Sequence, residues 1–212
     1  MALVLTTPNT ILGTLQPKGD TAKLVANIAT VVLGSLVLAV SARISIPVMP
    51  IPVSLQSLAV AVIAASFGWR IGVATVALYI VQGLSGLPVF ATGGGIDYIT
   101  RPSFGFILGW LPMAYIIGRA SDMGASRKML PMFAAAIAGN IVSFVFGFGW
   151  LLAVSALILQ QGAPLPAWLD QTNLLASAFN GAVKPFIVWD IVKMAFAALT
   201  VTGLWAALRR KA

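Results

Sequence analysis

The sequence predicts an all-α integral membrane protein. Of the 212 residues, 59% are hydrophobic and only 8% are charged, whereas an ordinary soluble domain has about 25% charged residues. The mean hydropathy is +0.99. Uncharged intervals are long enough for the roughly 20 residues of a bilayer-spanning helix; they cover residues 24–42, 44–69, 71–96 and 129–169.

Six apolar segments predict six transmembrane helices in one domain, residues 21–208. The segments span about 21–42, 53–67, 71–87, 103–118, 129–159 and 174–208. The first begins after Pro17 and Gly19. The second follows the proline-rich stretch 46–52, which we expect to be an ordered loop because prolines lack the N–H that a helix needs.

Turn residues and polar residues end the later segments. Gly93, Gly94 and Gly95 follow the third segment and disfavour a helix, and the polar stretch 119–128 follows the fourth. The sequence Gln-Gly-Ala-Pro at 161–164 stops the fifth. The sixth segment contains Pro185, and we place the outer end of the sixth helix near Lys184.

The basic residues predict the orientation in the membrane. If six helices alternate, both termini share one side with the loops around residues 70 and 119–128. That side has nine of the 13 basic residues and is therefore cytoplasmic; they are Lys18, Lys23, Arg70, Arg119, Arg127, Lys128, Arg209, Arg210 and Lys211. The segment 1–20 and the basic tail 209–212 are then cytoplasmic, and the net charge of +8 follows the loops, which does not indicate nucleic-acid binding.

Asp190 and Lys193 are the most informative residues of the chain. They lie one helical turn apart in the sixth segment, so both face the same side. Ionisable groups at such a depth usually mark a functional site. A carboxylate accepts N–H groups and an ammonium donates to a carbonyl oxygen, so the pair matches one edge of a urea or an amide.

Two other interpretations of this pair remain open. The pair could be a buried tie between helices, although such pairs rarely add net stability. The chain could also be a stand-alone secondary transporter or channel, in which Asp190 carries a coupling proton.

Several polar groups near the predicted outer side are further candidates. The loop 90–102 combines Gly94 with Asp97, Tyr98 and Arg101, and is a candidate rim or lid. Intramembrane amides usually bond across helices. Among the three amides, Gln56 is best placed to reach a pocket, while we expect cross-helix bonds from Gln82 and Asn140.

The composition excludes several chemistries. The chain has no cysteine and no histidine, which excludes thiolate and imidazole metal sites and Cys/His nucleophile pairs. It also lacks the glycine-rich ATP-binding motif that ends in Gly-Lys-Ser/Thr. We therefore expect no metal, no cofactor and no enzymatic activity.

Four ordered motifs resemble the BioY family, the biotin-specific S components of energy-coupling factor (ECF) transporters. The resemblance covers about residues 40–200. Two departures occur: Val188-Trp189 stands where the family often has Pro-Gly, and Ser103-Phe104-Gly105 where it often has Thr-Gly-Gly. The motifs are PIPVSLQSL at 50–58, LY at 78–79 with GLSGLPVFA at 83–91, RPSFGFILG at 101–109, and KPF at 184–186 with Asp190-x-x-Lys193.

The resemblance implies a six-helix S-component fold that binds biotin from outside and delivers it across the bacterial inner membrane. It implies that Asp190 and Lys193 hold the ureido ring, and that the loops around Gln56, Gly94 and Arg101 line or close the site. Arg101 is also our candidate for the valerate carboxylate. We expect aromatic walls from Tyr79, Phe104 and Trp189.

The implied partners are a transmembrane coupling protein and two ATPases. Small residues at four-residue spacing on the first helix would allow another helix to approach closely, either within this chain or from a partner. These residues are Ala22, Ala26, Thr30 and Gly34.

Overall fold

A computed structural model describes residues 9–46 and 53–209. The proline-rich residues 47–52, the first eight residues of the predicted cytoplasmic segment and the last three of the basic tail lie outside the described residues. The described part is largely α-helical, with one small hairpin in which Ser45 pairs with Ser54 and Ile46 with Val53.

The elements follow one another in a simple order. Two 3-10 turns, Ile96–Thr100 and Ala125–Arg127, precede α5 and α6 respectively. The other elements are α1 (Ile11–Leu15), α2 (Asp20–Arg43), β1 (Ser45–Ile46), β2 (Val53–Ser54), α3 (Gln56–Phe67), α4 (Trp69–Leu84), α5 (Phe104–Asp122), α6 (Met129–Gln160), α7 (Leu174–Ala182) and α8 (Phe186–Arg209).

Four stretches are long and apolar enough to cross a membrane: α2, α5, α6 and Leu174–Leu208. Two further apolar helices, α3 and α4, have 12 and 16 residues and are shorter than the roughly 20 residues of a full span. Gly68 joins them with a φ of 86°, a conformation that favours glycine. The described chain is therefore a multi-pass membrane protein with four helical stretches of spanning length.

The sixth predicted segment, residues 174–208, forms two helices, and the predicted outer end of the sixth helix near Lys184 agrees with the beginning of α8 at Phe186. The stretch consists of α7 and α8, which are separated at residues 183–185. Pro185 supplies no N–H, and it disfavours helical backbone at the residue before it. The break places Phe186 at the beginning of α8, one turn before Asp190.

Helices α3, α5, α6 and α8 form a closed ring of neighbours. Glycines bring α5 and α6 together: a Cβ at Gly105 would lie 2.1 Å from Trp150 Cβ, and one at Gly109 would lie 2.8 Å from Ser143 Cα. The absence of these Cβ atoms lets the two backbones approach closely, as small residues do between membrane helices.

Tight packing also closes the bundle where α4 and α6 begin. The Asp122 carboxylate lies 3.5 Å from the Trp69 N–H at the start of α4, and the Trp205 indole N–H donates to Ser126 over 3.0 Å. The first contact holds the end of α5 against the beginning of α4, and the second holds the last part of α8 against the turn just before α6. The cavity described below lies toward the opposite end, where α5 and α8 begin.

Gly118 provides a test of this packing. A Cβ at Gly118 would lie 2.3 Å from Trp69 Cα, so Gly118→Ala must shift the backbone of α4. Overpacking typically costs about 1–3 kcal/mol, and we expect the melting temperature in detergent to fall by several degrees. The matched control is Gly149→Ala in α6, where a Cβ meets nothing within 4 Å. Equal melting temperatures for both variants would contradict the packing argument.

Candidate ligand-binding site

A cavity lies between α3, α5, α6 and α8. It encloses about 740 Å³ of empty space, part of which is open to the outside. Its apolar walls are Phe106, Ile107, Trp110, Phe144 and Phe186. Its polar lining consists of Ser54, Gln56, Ser57, Thr92, Tyr98, Ser103, Asn140, Ser143, Asp190 and Lys193.

Asp190 and Lys193 form a buried ion pair in this cavity. The side chains are 7% and 10% exposed, and Lys193 Nζ contacts Asp190 Oδ1. Ser57 of α3 bridges them, because its hydroxyl accepts from Lys193 over 2.8 Å and donates to Asp190 over 3.2 Å. The sequence predicted that the two charges share a face, and it did not identify Ser57.

The two charges differ in how completely they are satisfied. Lys193 Nζ also donates to the Ser54 carbonyl oxygen over 3.2 Å, so its three N–H groups have three partners. Asp190 Oδ1 accepts from both Lys193 and Ser57. Oδ2 has no hydrogen bond within residues 9–46 and 53–209. The carboxylate therefore presents an open acceptor.

Gln56 connects the cavity to the loop after α4. Its side-chain N–H donates to the Tyr79 hydroxyl over 2.5 Å, and this hydroxyl donates to the Val89 carbonyl over 3.0 Å. Gln56 lines the cavity, as expected, and also makes a cross-helix bond. Tyr79 is fully buried behind Gln56 and does not line the cavity.

Arg101 lies at the rim of the cavity. Its guanidinium donates to the Thr92 hydroxyl over 3.1 Å and lies 5.1 Å from the centre of the Tyr98 ring. Thr92 donates in turn to the Tyr98 hydroxyl over 3.1 Å. Thr92 and Tyr98 line the cavity, whereas Arg101 is exposed beside them.

Besides Tyr79 and Arg101, three further expected site residues lie outside the cavity lining. Phe104 is buried among Phe90, Tyr98 and Trp150. Gly94 packs against the end of α4, where a Cβ would lie 2.0 Å from the Leu87 carbonyl oxygen. Trp189 is 48% exposed on the outer face of α8, so it does not form a wall of this cavity.

Asn140 corrects another expectation. The sequence favoured a cross-helix hydrogen bond, but in the described part of the chain its side chain has no hydrogen-bond partner. Asn140 is only 7% exposed and lines the cavity. Ser143 also lines the cavity and was not predicted to do so. It lies one helical turn from Asn140, and this spacing could have indicated that the two residues share a polar face of α6.

The chain matches the family model described as "BioY family" over residues 14–210. The chain belongs to the BioY family. The resemblance of the four sequence motifs is thereby confirmed.

Two curated members of the BioY family illustrate the similarity. The "Probable biotin transporter BioY" of Lysinibacillus sphaericus is 30% identical, covering 81% of this chain and 82% of that protein. The "Biotin transporter BioY" of Rhodobacter capsulatus is 33% identical, with coverage of 76% and 82%. Both similarities span most of the two chains compared.

A solved structure supports the BioY-family fold. The "S-component for biotin from an ECF-type ABC transporter" superposes with a TM-score of 0.69 and covers 90% of this chain and 95% of that chain. The identity is 21%. The arrangement of helices around the cavity is thus a known membrane-protein fold.

The buried ion pair of this BioY-family chain predicts non-additive effects on stability. Lys193→Met leaves Asp190 as a buried unpaired carboxylate, and breaking such a pair typically costs about 3–5 kcal/mol. The double variant Asp190→Leu/Lys193→Met removes both charges and should lose much less. Thermal unfolding in detergent without ligand measures both effects.

Lys184→Met is the control for this comparison. Lys184 is an exposed lysine immediately before α8, so its replacement should leave the melting temperature nearly unchanged. A double variant that is less stable than Lys193→Met would contradict the argument from an unpaired charge.

Proposed function

We propose that this chain is the biotin-binding subunit of an ECF-type transporter. The observation that carries the proposal is the buried Asp190–Lys193 pair, which presents an open carboxylate oxygen in an otherwise largely apolar cavity. The named relatives are biotin transporters, and the structural neighbour is an S component for biotin. The proposed role is ligand capture and transport, not catalysis.

In the proposed complex the ureido ring binds beside the ion pair. Asp190 Oδ2 accepts one ureido N–H. Lys193 donates to the ureido oxygen, and because its three N–H groups are already used, it gives up the 3.2 Å bond to the Ser54 carbonyl. Aromatic side chains such as Trp110 and Phe144 then cover the apolar part of the ligand.

The valerate carboxylate remains at the mouth, near Arg101. This guanidinium is exposed beside Thr92 and Tyr98, which both line the cavity. A guanidinium pairs well with a carboxylate. Gly94, Tyr79 and Phe104 support this region from behind the lining, and Trp189 faces away from it.

The proposed topology has six spans with both termini in the cytoplasm of a bacterium. Four stretches reach spanning length, and α3 and α4 complete the count as short spans that meet at Gly68. The distribution of basic residues supports this orientation. The cavity then opens toward the outside of the inner membrane.

Energy for transport comes from partners in this proposal: a transmembrane coupling protein and two ATPases. The evenly spaced small residues of α2 have two different environments. Gly34 is buried against Thr75 of α4, where a Cβ would lie 2.8 Å from Thr75 Cγ2, whereas Ala22 is exposed. The exposed part remains the proposed docking surface for the coupling protein.

Calorimetric titration of the purified protein with biotin tests the proposed function. We expect saturable binding, and we expect Asp190→Asn to weaken it by roughly tenfold to a hundredfold, because hydrogen bonds to a charged group contribute about 1.5–3 kcal/mol. Asp97→Asn, an exposed aspartate outside the cavity lining, is the control and should bind as the wild type does.

The same variants separate this proposal from a proton-coupled transporter. In that case Asp190→Asn would keep its affinity for biotin and lose uptake driven by a proton gradient. Absence of any heat at micromolar biotin would contradict the assignment of the ligand.

Single cysteines test the proposed orientation, because the chain has no natural cysteine. Asp97→Cys and Lys128→Cys introduce thiols at exposed positions near opposite ends of the bundle. On intact cells, a membrane-impermeant thiol reagent should label only the variant at position 97, and permeabilised cells should show labelling at both. Labelling at position 128 in intact cells would reverse the orientation.

A further inference from the structure

Asn140 is a buried polar group whose role the binding pair does not explain. Its carboxamide lines the cavity and is 7% exposed, yet within residues 9–46 and 53–209 no hydrogen bond involves it. Its polar atoms open onto the cavity, because the one enclosed side-chain N or O atom without a partner in the described residues is Thr75 Oγ1. Such a group is expected to persist where a ligand completes its hydrogen bonds.

Two contacts place Asn140 at the same depth as Asp190. Helices α6 and α8 run antiparallel, because Phe144 in the middle of α6 meets Phe186 at the beginning of α8 with ring centres 6.4 Å apart, whereas Trp205 near the end of α8 bonds Ser126 just before α6. Four residues inward from Phe144 is Asn140, and four residues inward from Phe186 is Asp190. The carboxamide and the carboxylate are therefore level in the cavity.

The two groups approach the cavity from different sides of the ring of helices. Ser57 on α3 holds the Asp190–Lys193 pair. Asn140 comes from α6, and α8 contacts both α3 and α6. A flat ring that binds the ion pair along one edge therefore presents its other edge to Asn140.

We infer that Asn140 determines specificity by binding the second edge of the ureido ring. This inference rests on the proposed function. A cyclic urea has two N–H groups and one carbonyl. Asp190 Oδ2 accepts one N–H, and the Asn140 carboxamide accepts the other through its oxygen while its N–H₂ donates to the carbonyl. A carbonyl oxygen has two lone pairs, so Lys193 and Asn140 share it.

The test replaces Asn140 with leucine, which has a similar volume and no polar atoms. Without ligand, Asn140→Leu should melt at nearly the same temperature, because the carboxamide opens onto the cavity and makes no hydrogen bond to the described part of the chain. Its affinity for biotin should fall by about tenfold or more. A residue that only supports the fold would show the opposite combination, a lower melting temperature with unchanged affinity.

A second ligand identifies the part of biotin that Asn140 contacts. The methyl amide of biotin keeps the ureido ring and lacks the carboxylate, so Asn140→Leu should weaken both ligands by the same factor. A loss confined to biotin itself would place Asn140 at the carboxylate and overturn the inference. The control is Asn27→Leu, at a buried amide of α2 that accepts from Gln16 over 2.7 Å and should affect stability without changing affinity.

The outcomes distinguish this inference from the proposed function. If the wild type binds biotin and Asn140→Leu binds it equally well, only the inference fails. If the wild type does not bind biotin, both fail. Asn140→Ala gives the same comparison if the leucine variant does not purify in folded form.

Discussion

When two opposite charges are buried in the apolar interior of a membrane bundle, the desolvation penalty exceeds their mutual attraction unless both charges also make further hydrogen bonds. Asp190 and Lys193 meet this requirement through α3. The Ser57 hydroxyl bonds to both charges, and the Ser54 carbonyl accepts the remaining N–H of Lys193. The ion pair therefore fixes α8 against the beginning of α3.

This requirement links the ion pair to the outer loops. Ser54 belongs to the hairpin after α2, and Gln56 continues through Tyr79 to the Val89 carbonyl in the loop after α4. If a ligand takes a donor from Lys193, the Ser54 carbonyl loses its bond, and the hairpin loses one of its ties to α8. Ligand binding and the hairpin are thereby coupled through one ammonium group.

Local sequence signals predicted the helices, but less of the site. Uncharged apolar runs give α2 and α6 to within one residue at each end, and α5 to within four residues, because lipid exposure needs apolar side chains along the whole span. The predicted outer end of the sixth helix near Lys184 agrees with the α7–α8 break at Pro185, whereas α7 was not predicted as a separate helix because the apolar run is continuous. Ser57 could not be predicted as the partner of the ion pair, because residues 133 and 136 positions apart meet only through tertiary packing.

Helix periodicity could have corrected the expectation for Trp189. A residue adjacent to Asp190 is turned by about 100° around the helix, and the buried face of α8 continues from Asp190 through Met194 to Ala197. Asn140 is different, since the sequence alone cannot tell a cross-helix bond from an open cavity position. The register of α6 against α8 is needed to distinguish these two environments of Asn140.

The net charge of the ion pair also determines which end of a ligand it accepts. Asp190 and Lys193 together are neutral, and the lining residues around them, Ser57, Gln56 and Asn140, carry no charge. A carboxylate placed there would be a buried charge without a counterion and would face the open oxygen of Asp190, and both effects are unfavourable. A neutral urea instead supplies the N–H groups that this oxygen lacks. In the proposed complex the ureido ring therefore enters first, and the carboxylate stays at the mouth, where water and the exposed Arg101 would solvate it.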